Sequence, residues 1–492
     1  MKKRFVFPCR VTLFSLLVML LVSLPMTSTI LAQPPYTGPV EPATPHPNRK
    51  PARKVCADCI RAHEEFLASD AMQGRGSGTH DELVAATYIA AQLRAYGIAP
   101  AGDDGGYIQS APLFKLKVTA TPTLEITPAD GSAKITWSYG KEFLIRYLTR
   151  AEFSGPLQRL DAANPKMKIK SGAIVFVPGN VGKHGDSALA ALNAGAMAGI
   201  VVSDKNSQDF EARGKDLPHL PNQLQDGDSA MGNFNFLELS AEAAKTFAQL
   251  PDGSQVHFRA ASEQEKGFTW NAVGILRGSG PKLQHEAVLL SAHLDHLGIG
   301  RPVNGDNIYN GADDDASGTT AVLELARVLG AGPRPRRTVI FALFGSEETG
   351  GLGSTYFREH PPLPLTEIVA NLEFEMIGRA DPKVKADTVW LTGWERSDLG
   401  PTLAAHGANL VGDPHPEQNF FARSDNYVLA KRGVVAQTVS SYGMHADYHR
   451  PSDDIAHLDF THMDAAIGSM LGPVEWLVNS SFTPTWNKGG RP

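Results

Sequence analysis

Residues 291–318 read SAHLDHLGIGRPVNGDNIYNGADDDASG, and this stretch decides which fold the sequence predicts. An apolar run, residues 287–290, ends in His293 and Asp295. The stretch closes on a triple-aspartate loop that holds Asp314, just ahead of a helical pattern. In α/β proteins, ligands bind in the crevice outside the carboxyl ends of parallel strands. This arrangement therefore indicates a metal site at a sheet edge.

Later apolar runs also end in residues that can bind a metal. Residues 337–344 are followed by Glu347 and Glu348, residues 368–374 by Glu375, and residues 434–439 by the loop that holds His449. Surface acids have no physical reason to keep to strand ends, so this repeated placement predicts one shared site. Strands and helices alternate from residue 271 onward, which predicts an α/β fold with a mostly parallel central sheet flanked by helices.

Length and composition restrict the classes of protein. A chain of 492 residues is too long for one ordinary domain and predicts two to three. A hydrophobic content of 42% and a charged content of 20% are typical of a globular protein. The net charge of -6 argues against a nucleic-acid partner, because phosphate binding needs a basic face.

Residues 1–32 have the pattern of a signal peptide. Basic residues precede an apolar run, residues 11–24, and Ala32 ends a plausible cleavage site. The run of about 14 residues is shorter than the ~20 residues that a membrane-spanning helix needs. We therefore expect cleavage rather than an uncleaved anchor, no stable membrane span after it, and a secreted or periplasmic protein. Residues 33–54 are rich in proline, which predicts a disordered linker.

Cys56 and Cys59 form a CxxC pair just ahead of a helical pattern. Structural zinc would need two more soft ligands, and the remaining cysteine, Cys9, lies in the predicted signal peptide. The pattern leaves two interpretations open in an oxidising compartment: a local disulfide, or two unpaired thiols.

The motifs SAHLDHLG, GADDDASG, FGSEETGGLGS and HADYHRPSD, in this order, resemble those of the co-catalytic zinc aminopeptidase family. That family includes aminopeptidase Y, the bacterial leucyl aminopeptidases and glutamate carboxypeptidase. The resemblance spans about residues 56–475 with an insertion excluded. It implies two Zn²⁺ ions, with other divalent metals possible, and the ligands that it implies are His293, Asp314, Glu348, Glu375 and His449.

The resemblance also implies how these ligands are shared. His293 would bind one zinc ion, and His449 would bind the other together with Glu348. Asp314 would bridge both ions and would precede a cis peptide bond to Asp315. Asp295 would orient the ring of His293.

One ligand position departs from the family. The family has Asp-Met-(Ile/Val)-Gly where this chain has Glu375-Met376-Ile377-Gly378. Glutamate offers the same ligand atoms on a longer stem. Glu373 points to the same face and competes for the role, and the register and the position at the strand end favour Glu375.

Several further residues receive expected roles. Glu347, next to the ligand Glu348, would be the general base that takes the proton from the attacking water. Tyr448 is either an oxyanion donor or a packing residue. His296 and His445 are expected beside the site rather than in it, and Ser317 with Gly318 is expected to cap the following helix rather than act as a nucleophile.

Residues 150–258 differ in composition from their surroundings and resemble the protease-associated domain that is inserted in many exopeptidases. The resemblance rests on the order strand 173–177, Ala-rich helix 187–198 and strand 199–203. Residues 55–149 and 259–480 would then form the peptidase domain, and 481–492 a tail. No metal cluster is expected in the insertion, where His184 and His219 are isolated.

The predicted function is that of an extracytoplasmic, metal-dependent aminopeptidase that acts on peptides with a free N-terminus. A carboxypeptidase or dipeptidase of the same family remains open, because the same metal core serves each. Two further alternatives are a single-zinc acyltransferase of the glutaminyl-cyclase type and a non-catalytic binding protein.

Overall fold

The computed structural model describes residues 54–160, 167–180, 187–188, 190–192, 194–218, 220–225 and 235–492. The predicted signal peptide lies outside these residues, as do the predicted linker up to residue 53, His184 and His219. In the part that is described, no helix combines the length and the apolar character needed to cross a membrane.

Helices alternate with strands from Gly318 onward, in line with the alternation predicted from residue 271, whereas Ala99–Arg159 and Gln255–Tyr309 contain strands without an intervening α-helix. The α-helices are α1 Ala57–Leu67, α2 His80–Ala95, α3 Ser207–Arg213, α4 Ala241–Gln249, α5 Gly318–Ala331, α6 Leu352–Glu359, α7 Leu399–Ala405, α8 Asn426–Ala430 and α9 Phe460–Asn479. Short 3₁₀ turns are Asp70–Arg75, Asp103–Gly105, Leu283–His285, Leu365–Glu367, Trp394–Arg396, Pro416–Gln418, Phe420–Ala422 and Ile455–His457.

The strands belong to a large sheet, a smaller sheet and a hairpin. In chain order they are β1 Ala99–Pro100, β2 Ile108–Val118, β3 Thr123–Thr127, β4 Ile135–Ser138, β5 Phe143–Leu148, β6 Glu152–Arg159, β7 Ile174–Asn180, β8 Ala198–Val202, β9 Gln223–Leu224, β10 Asn235–Leu239, β11 Gln255–Arg259, β12 Ser262–Leu276, β13 Ala287–His293, β14 Gly298–Val303, β15 Asp306–Tyr309, β16 Thr338–Phe344, β17 Ile368–Phe374, β18 Val389–Leu391, β19 Leu410–Gly412 and β20 Val435–Ser440.

The large sheet has the order β19-β18-β20-β17-β13-β16-β12-β2-β9, with β1 beside β12. Its centre, β20-β17-β13-β16, is parallel throughout. The strands outside this centre add antiparallel pairs, such as β12 with β16 and β2 with β12. The predicted α/β fold is confirmed, and the sheet is mixed, with its parallel strands at the centre.

The central strands read as unbroken apolar runs because both of their faces are covered. In β13, Val288 and Leu290 face one hydrophobic core, whereas Leu289 faces another on the opposite side of the sheet. β16 alternates in the same way. Every residue of β13 and β16 is buried. These strands are therefore fixed in register by packing on both sides, and their carboxyl ends are held at one edge.

The smaller sheet has the order β4-β3-β11-β6-β7-β8-β10-β5. It begins at Thr123, earlier than the predicted boundary at residue 150, because β3 pairs with β11 and β5 pairs with β10. Within the predicted helix 187–198, residues 187, 188 and 190–192 are helical and residues 194–195 form a turn before strand β8, which begins at Ala198. Val118 pairs with Ser262 where the chain leaves and re-enters the large sheet.

Cys56 and Cys59 form a disulfide bond at the start of α1. This outcome selects one of the two interpretations that the sequence left open. The sulfur of Cys56 also accepts a hydrogen bond from the backbone N–H of Cys59, 3.2 Å away. The pair thus closes the first turn of the helix.

Candidate metal centre

The carboxyl ends of the parallel strands bring the predicted ligands to one edge of the large sheet. His293 is the last residue of β13, and Glu375 follows β17 directly. Glu348 lies in the turn after β16, and His449 in the loop after β20. Asp314 lies in an irregular turn, Ala312–Ser317, that leads into α5.

Asp314 joins two groups of ligand atoms. Its Oδ1 lies 3.1 Å from Nε2 of His293, and these residues form one compact group with Glu375. Its Oδ2 lies 3.2 Å from Nε2 of His449, which is also 3.2 Å from Oε2 of Glu348. The two carboxylate oxygens of Asp314 thus face different histidines, as a residue that bridges two metal ions must.

The arrangement of the donor atoms fits coordination of a metal ion better than hydrogen bonding among the donors themselves. Nε2 of His293 and Oε1 of Glu348 are buried, and their contacts with Asp314 at 3.1 Å and with His296 at 2.7 Å lack the direction of a hydrogen bond. An unpartnered buried polar atom is costly, so these atoms fit a site in which a cation satisfies them. Imidazole and carboxylate donors without a thiolate are suited to Zn²⁺ and to related divalent ions.

His296 belongs to the same cluster, closer than the sequence indicated. Its Nδ1 lies 2.7 Å from Oε1 of Glu348 and 3.9 Å from Oδ2 of Asp314. The ring is fully buried, and neither ring nitrogen has a hydrogen-bond partner. The sequence analysis placed His296 beside the site, whereas the structure makes it a possible ligand. The signal that could have found it is its position three residues after His293.

Glu375, and not Glu373, reaches the cluster. The carboxylate of Glu373 accepts hydrogen bonds from the backbone N–H of Asn426, at 2.6 Å, and from the hydroxyl of Thr438, at 3.2 Å. Glu373 is therefore committed to the loop and strand beside it. Glu375 lies within ligand distance of His293 and Asp314 and lines the cavity in front of them.

Asp295 organises the turn after β16 rather than the ring of His293. Its carboxylate lies 3.7 Å from Nδ1 of His293, which is too long for a hydrogen bond, and the ring nitrogen lies 3.2 Å from the backbone carbonyl of Asp295 instead. The carboxylate accepts the backbone N–H of Glu347 at 3.0 Å and the hydroxyl of Ser77 at 2.5 Å. The predicted orienting contact is thus made by the backbone of Asp295, because its side chain turns to the neighbouring strand.

Asp315 ties together the elements around Asp314. Its carboxylate accepts the backbone N–H groups of His293 at 3.2 Å, Gly318 at 2.9 Å and Met376 at 3.0 Å. These groups belong to β13, to the start of α5 and to the residue after Glu375. The peptide bond between Asp314 and Asp315 is cis, as the resemblance implied.

Ser317 was expected to cap α5, but its side chain makes no capping hydrogen bond to the helix. The hydroxyl of Ser317 donates to the carbonyl of Asp313 at 2.7 Å and accepts the N–H of Ile377 at 2.9 Å. The carboxylate of Asp315 accepts the N–H of Gly318 in its place. Asp315 replaces Ser317 as the cap because its carboxylate reaches the N–H of Gly318 from within the turn.

A second layer of polar residues holds the Asp314 turn from the opposite side. Asp453 accepts the backbone N–H groups of Asp313 and Asp314, each at 3.0 Å. His445 contacts the carboxylate of Asp313 at 2.9 Å, which keeps it beside the site, as the sequence indicated. These contacts position Asp314 without occupying its ligand atoms.

Glu347 and Tyr448 line the same cavity as the ligands. Burial raises the pKa of Glu347 well above its ordinary value, and the nearby His293 opposes this. Burial, together with the neighbouring Asp314 and Glu348, raises the pKa of Tyr448, so its phenol stays protonated. The Tyr448 ring also stacks on His449 with centroids 3.9 Å apart, so it packs against a ligand and presents a hydroxyl donor at the same site.

The cavity in front of the ligands ends blindly in the protein core. Trp390 is 1% exposed and Met376 3% exposed, and both form one apolar cluster with Tyr442. Phe420 and Arg423 line the same cavity, with the guanidinium of Arg423 4.9 Å from the centre of the Phe420 ring. The cavity wall thus combines these apolar side chains with the polar residues Thr392, Thr438 and Ser440 beside the proposed ligands.

Comparison with known proteins agrees with this geometry. Residues 271–471 match the model of peptidase family M28. The chain is 30% identical over 209 residues to an aminopeptidase of Pseudomonas aeruginosa, a match that covers 42% of this chain and 35% of that protein. It is 36% identical over 114 residues to the mouse aminopeptidase NAALADL1, over 22% of this chain and 14% of that protein. The chain thus spans about a third or less of the length of these relatives.

A solved structure is similar along most of the chain. The aminopeptidase from Aneurinibacillus sp. strain AM-1 aligns with a TM-score of 0.54 and 19% identity, covering 88% of this chain and 96% of that one. At this identity the likeness concerns the fold alone.

Proposed function

We propose that the chain is a two-metal exopeptidase that removes the N-terminal residue of peptides, from the metal-ligating residues carried by the segment that matches the model of peptidase family M28. The observation that carries the proposal is the position of Asp314. One of its oxygens faces His293 and the other faces His449, at 3.1 and 3.2 Å. A single buried carboxylate with a histidine on each side is suited to two ions rather than one.

The proposed ligands follow from these distances. His293 and Glu375 would hold one ion, His449 and Glu348 the other, and Asp314 both. Zn²⁺ fits the imidazole and carboxylate donors, and other divalent ions can bind the same set. When bound, the pair of ions would polarise the scissile carbonyl and lower the pKa of a water molecule.

Glu347 and Tyr448 would act as proton-transfer and hydrogen-bond-donor residues in the reaction. Glu347 would take the proton of the attacking water on its carboxylate and pass it to the nitrogen of the leaving amine. Its position next to the ligand Glu348, on the wall of the same cavity, supports this role. Tyr448 would donate its phenolic hydrogen to the carbonyl oxygen as negative charge develops there.

The blind cavity supports cleavage at the end of a chain. The buried side chains of Trp390 and Met376 close one end of this cavity, which favours the end of a substrate chain over a continuing polypeptide. The carboxylates of Glu347, Glu348 and Glu375 line it, so a free α-amine would find negative partners there. The name of the Pseudomonas relative, an aminopeptidase, supports the same direction.

A second candidate rests on Arg423, which lines the same cavity. A guanidinium in a blind pocket could instead pair with a C-terminal carboxylate, which would make the chain a carboxypeptidase or dipeptidase. The single-zinc acyltransferase and the binding protein lose support, since ligand atoms for two ions are brought together.

The test compares substrates, metal content and one variant. Aminoacyl nitroanilides and N-blocked peptides are assayed with and without a chelator, and bound zinc is measured per chain. We expect two zinc ions, chelator-sensitive cleavage of substrates with a free amine only, and a loss of about 10²–10⁴-fold in kcat for Glu347→Gln with its zinc retained. Glu395→Gln, a surface variant with 77% side-chain exposure, is the matched control.

Other outcomes would identify the alternatives. Chelator-sensitive cleavage of N-blocked peptides from their C-terminal end would favour the carboxypeptidase. One zinc ion and no hydrolysis would favour the acyltransferase, and a protein that binds no metal would favour a binding role. If Glu347→Gln kept full activity, Glu347 would not be the base.

We also propose that the protein acts outside the cytoplasm. Support comes from the signal-peptide pattern of residues 1–32 and from the Cys56–Cys59 disulfide, since disulfides persist in oxidising compartments. Cell fractionation with processing mapped by N-terminal sequencing is the measurement. Recovery of the full-length chain in the cytoplasm would refute the proposal.

We propose that the smaller sheet shapes access to the site. Val118 and Ser262 are paired neighbours, so replacing residues 119–261 with a short turn would join β2 to β12 without stretching the chain. We expect such a variant to cleave dipeptides and to differ from the intact chain only on longer peptides. Unchanged kinetics on long peptides would remove the support for this role.

A further inference from the structure

A second cavity opens from the opposite side of Glu348. It has a volume of about 380 Å³ and is lined by residues of three segments, 73–81, 296–299 and 348–349, including Ser77, His296, Leu297 and Ile299. Glu348 also lines the blind cavity, so the two cavities lie on either side of this residue.

The walls of the second cavity differ from those of the blind one. Ile299 is 57% exposed and Leu297 36% exposed, whereas Trp390 at the end of the blind cavity is 1% exposed. The second cavity is therefore open to solvent along an apolar wall. An exopeptidase needs this asymmetry, because one side of the scissile bond carries a single residue and the other side carries the rest of the chain.

The second cavity is held rigidly against the ligand cluster. Arg75 is fully buried and donates hydrogen bonds to the carbonyl oxygens of Leu294 at 2.9 Å, Asn310 at 2.7 Å and Gly311 at 2.9 Å. The carbonyl of Arg75 accepts the N–H of His296 at 3.0 Å. The Arg75 side chain thus connects the loop after α1 to both ends of residues 294–311, the segment that leads to the Asp314 turn.

The two loops also approach each other too closely for other residues. A Cβ on Gly74 would lie 2.3 Å from the carbonyl oxygen of Tyr309, and one on Gly298 would lie 2.9 Å from the Cα of Gly76. Gly74 and Gly298 have positive φ angles of 69° and 72°. The glycines therefore allow a close backbone contact that forms the floor of the cavity.

We propose that this second cavity binds the residue that follows the scissile bond, with a preference for an apolar side chain against Leu297 and Ile299. The inference rests on the proposed aminopeptidase function and deepens it by assigning the leaving side of the substrate. The shared wall at Glu348 places this residue directly across the ligand cluster from the residue in the blind cavity.

The test uses substrates that differ only after the scissile bond. Leucinamide releases ammonia and has no residue to place in the second cavity, whereas Leu-Leu and Leu-Ser place an apolar and a polar side chain there. We expect the zinc-loaded intact chain to prefer Leu-Leu over Leu-Ser. In Ile299→Ser, the ratio of kcat/KM for Leu-Leu to that for leucinamide should fall on the order of fivefold, because an apolar contact is lost.

A matched control separates this effect from general loss of surface apolar area. Val411→Ser removes a side chain of similar exposure, 39%, on strand β19. Its Leu-Leu to leucinamide ratio should equal that of the unaltered chain. Ile299→Trp provides a second variant that should change the ratio in the direction opposite to that of Ile299→Ser, by extending the apolar wall.

The outcomes distinguish the inference from the function on which it rests. If the intact chain hydrolyses all three substrates and Ile299→Ser leaves their ratios unchanged, the inference is overturned and the aminopeptidase function stands. If none of the three is hydrolysed, the proposed function fails and the inference with it. Cleavage of N-acetyl-Leu-Leu would also overturn it, since the second cavity would then hold the residue before the scissile bond.

Discussion

Replacing Glu64 with glutamine should change how the stability of the protein depends on pH. Glu64 lies in α1 and is fully buried, and neither of its carboxylate oxygens has a hydrogen-bond partner. Burial raises its pKa to about 8, and the positive charge of Arg75 only partly offsets this. In the unfolded chain, where the carboxyl is hydrated, it ionises near 4.5.

The sign and size of the effect follow from these two values. Below pH 4.5 the carboxyl is protonated in both states and does not affect the pH dependence. Between pH 4.5 and 8 the unfolded state loses its proton first, so the free energy of unfolding falls as pH rises. At about 1.4 kcal/mol per pH unit, this amounts to about 3–4 kcal/mol between pH 5 and pH 8.

Urea unfolding of zinc-loaded protein at pH 5, 6, 7 and 8 measures this dependence. Glutamine keeps the shape of the side chain and does not titrate, so Glu64→Gln should gain about 3–4 kcal/mol relative to the unaltered chain between pH 5 and 8. Glu65→Gln, at a 58% exposed side chain on the same helix, is the matched control and should show almost no such gain. A difference between Glu64→Gln and the unaltered chain that stays constant with pH would show that Glu64 ionises freely in the folded state.

The other predictions concern the ligand cluster. Asp315→Asn should destabilise the protein by about 2–4 kcal/mol in urea unfolding at pH 7, because an amide cannot accept all three backbone N–H groups that the carboxylate binds; an unchanged midpoint would refute this role. Glu375→Asp should retain zinc with a weaker affinity, because the shorter side chain keeps the ligand atoms but withdraws them, whereas Glu375→Ala should lose about 10–100-fold or more in affinity for one ion. Competition with a chelator of known affinity measures both, and equal zinc affinity in Glu375→Ala and the unaltered chain would exclude Glu375 as a ligand.

The ligand positions could be predicted from the sequence because strand burial makes them regular. A central parallel strand is apolar on both faces, so its last apolar residue marks the sheet edge. His293 and Glu375 stand at such ends, and the structure brings them together with Asp314. The same register argument separated Glu375 from Glu373, whose carboxylate turns to the backbone of Asn426.

The contacts that support the ligands could not be predicted in the same way. Asp295, Asp315 and Ser317 each have several N–H groups or carbonyls within reach, and the choice depends on how neighbouring strands and turns meet in space. The smaller sheet begins earlier than the predicted boundary at residue 150 for a related reason. Thr123 pairs with Arg259, so the partners that define the sheet are far apart in the sequence.

The arrangement of the proposed metal ligands depends on the carboxylates of Asp295 and Asp315, which hydrogen-bond to the backbone around them. Asp295 follows β13 and accepts the N–H of Glu347 after β16. Asp315 accepts the N–H of His293 at the end of β13 and that of Met376 after β17. The three adjacent strands β17, β13 and β16 are therefore linked at their carboxyl ends by side chains as well as by the sheet. Because each link ends on the backbone next to a ligand or on the proposed base, a shift of one strand would move its ligand relative to Asp314. The spacing of the proposed ligands thus depends on the strand register, which the apolar packing on both faces of the sheet fixes.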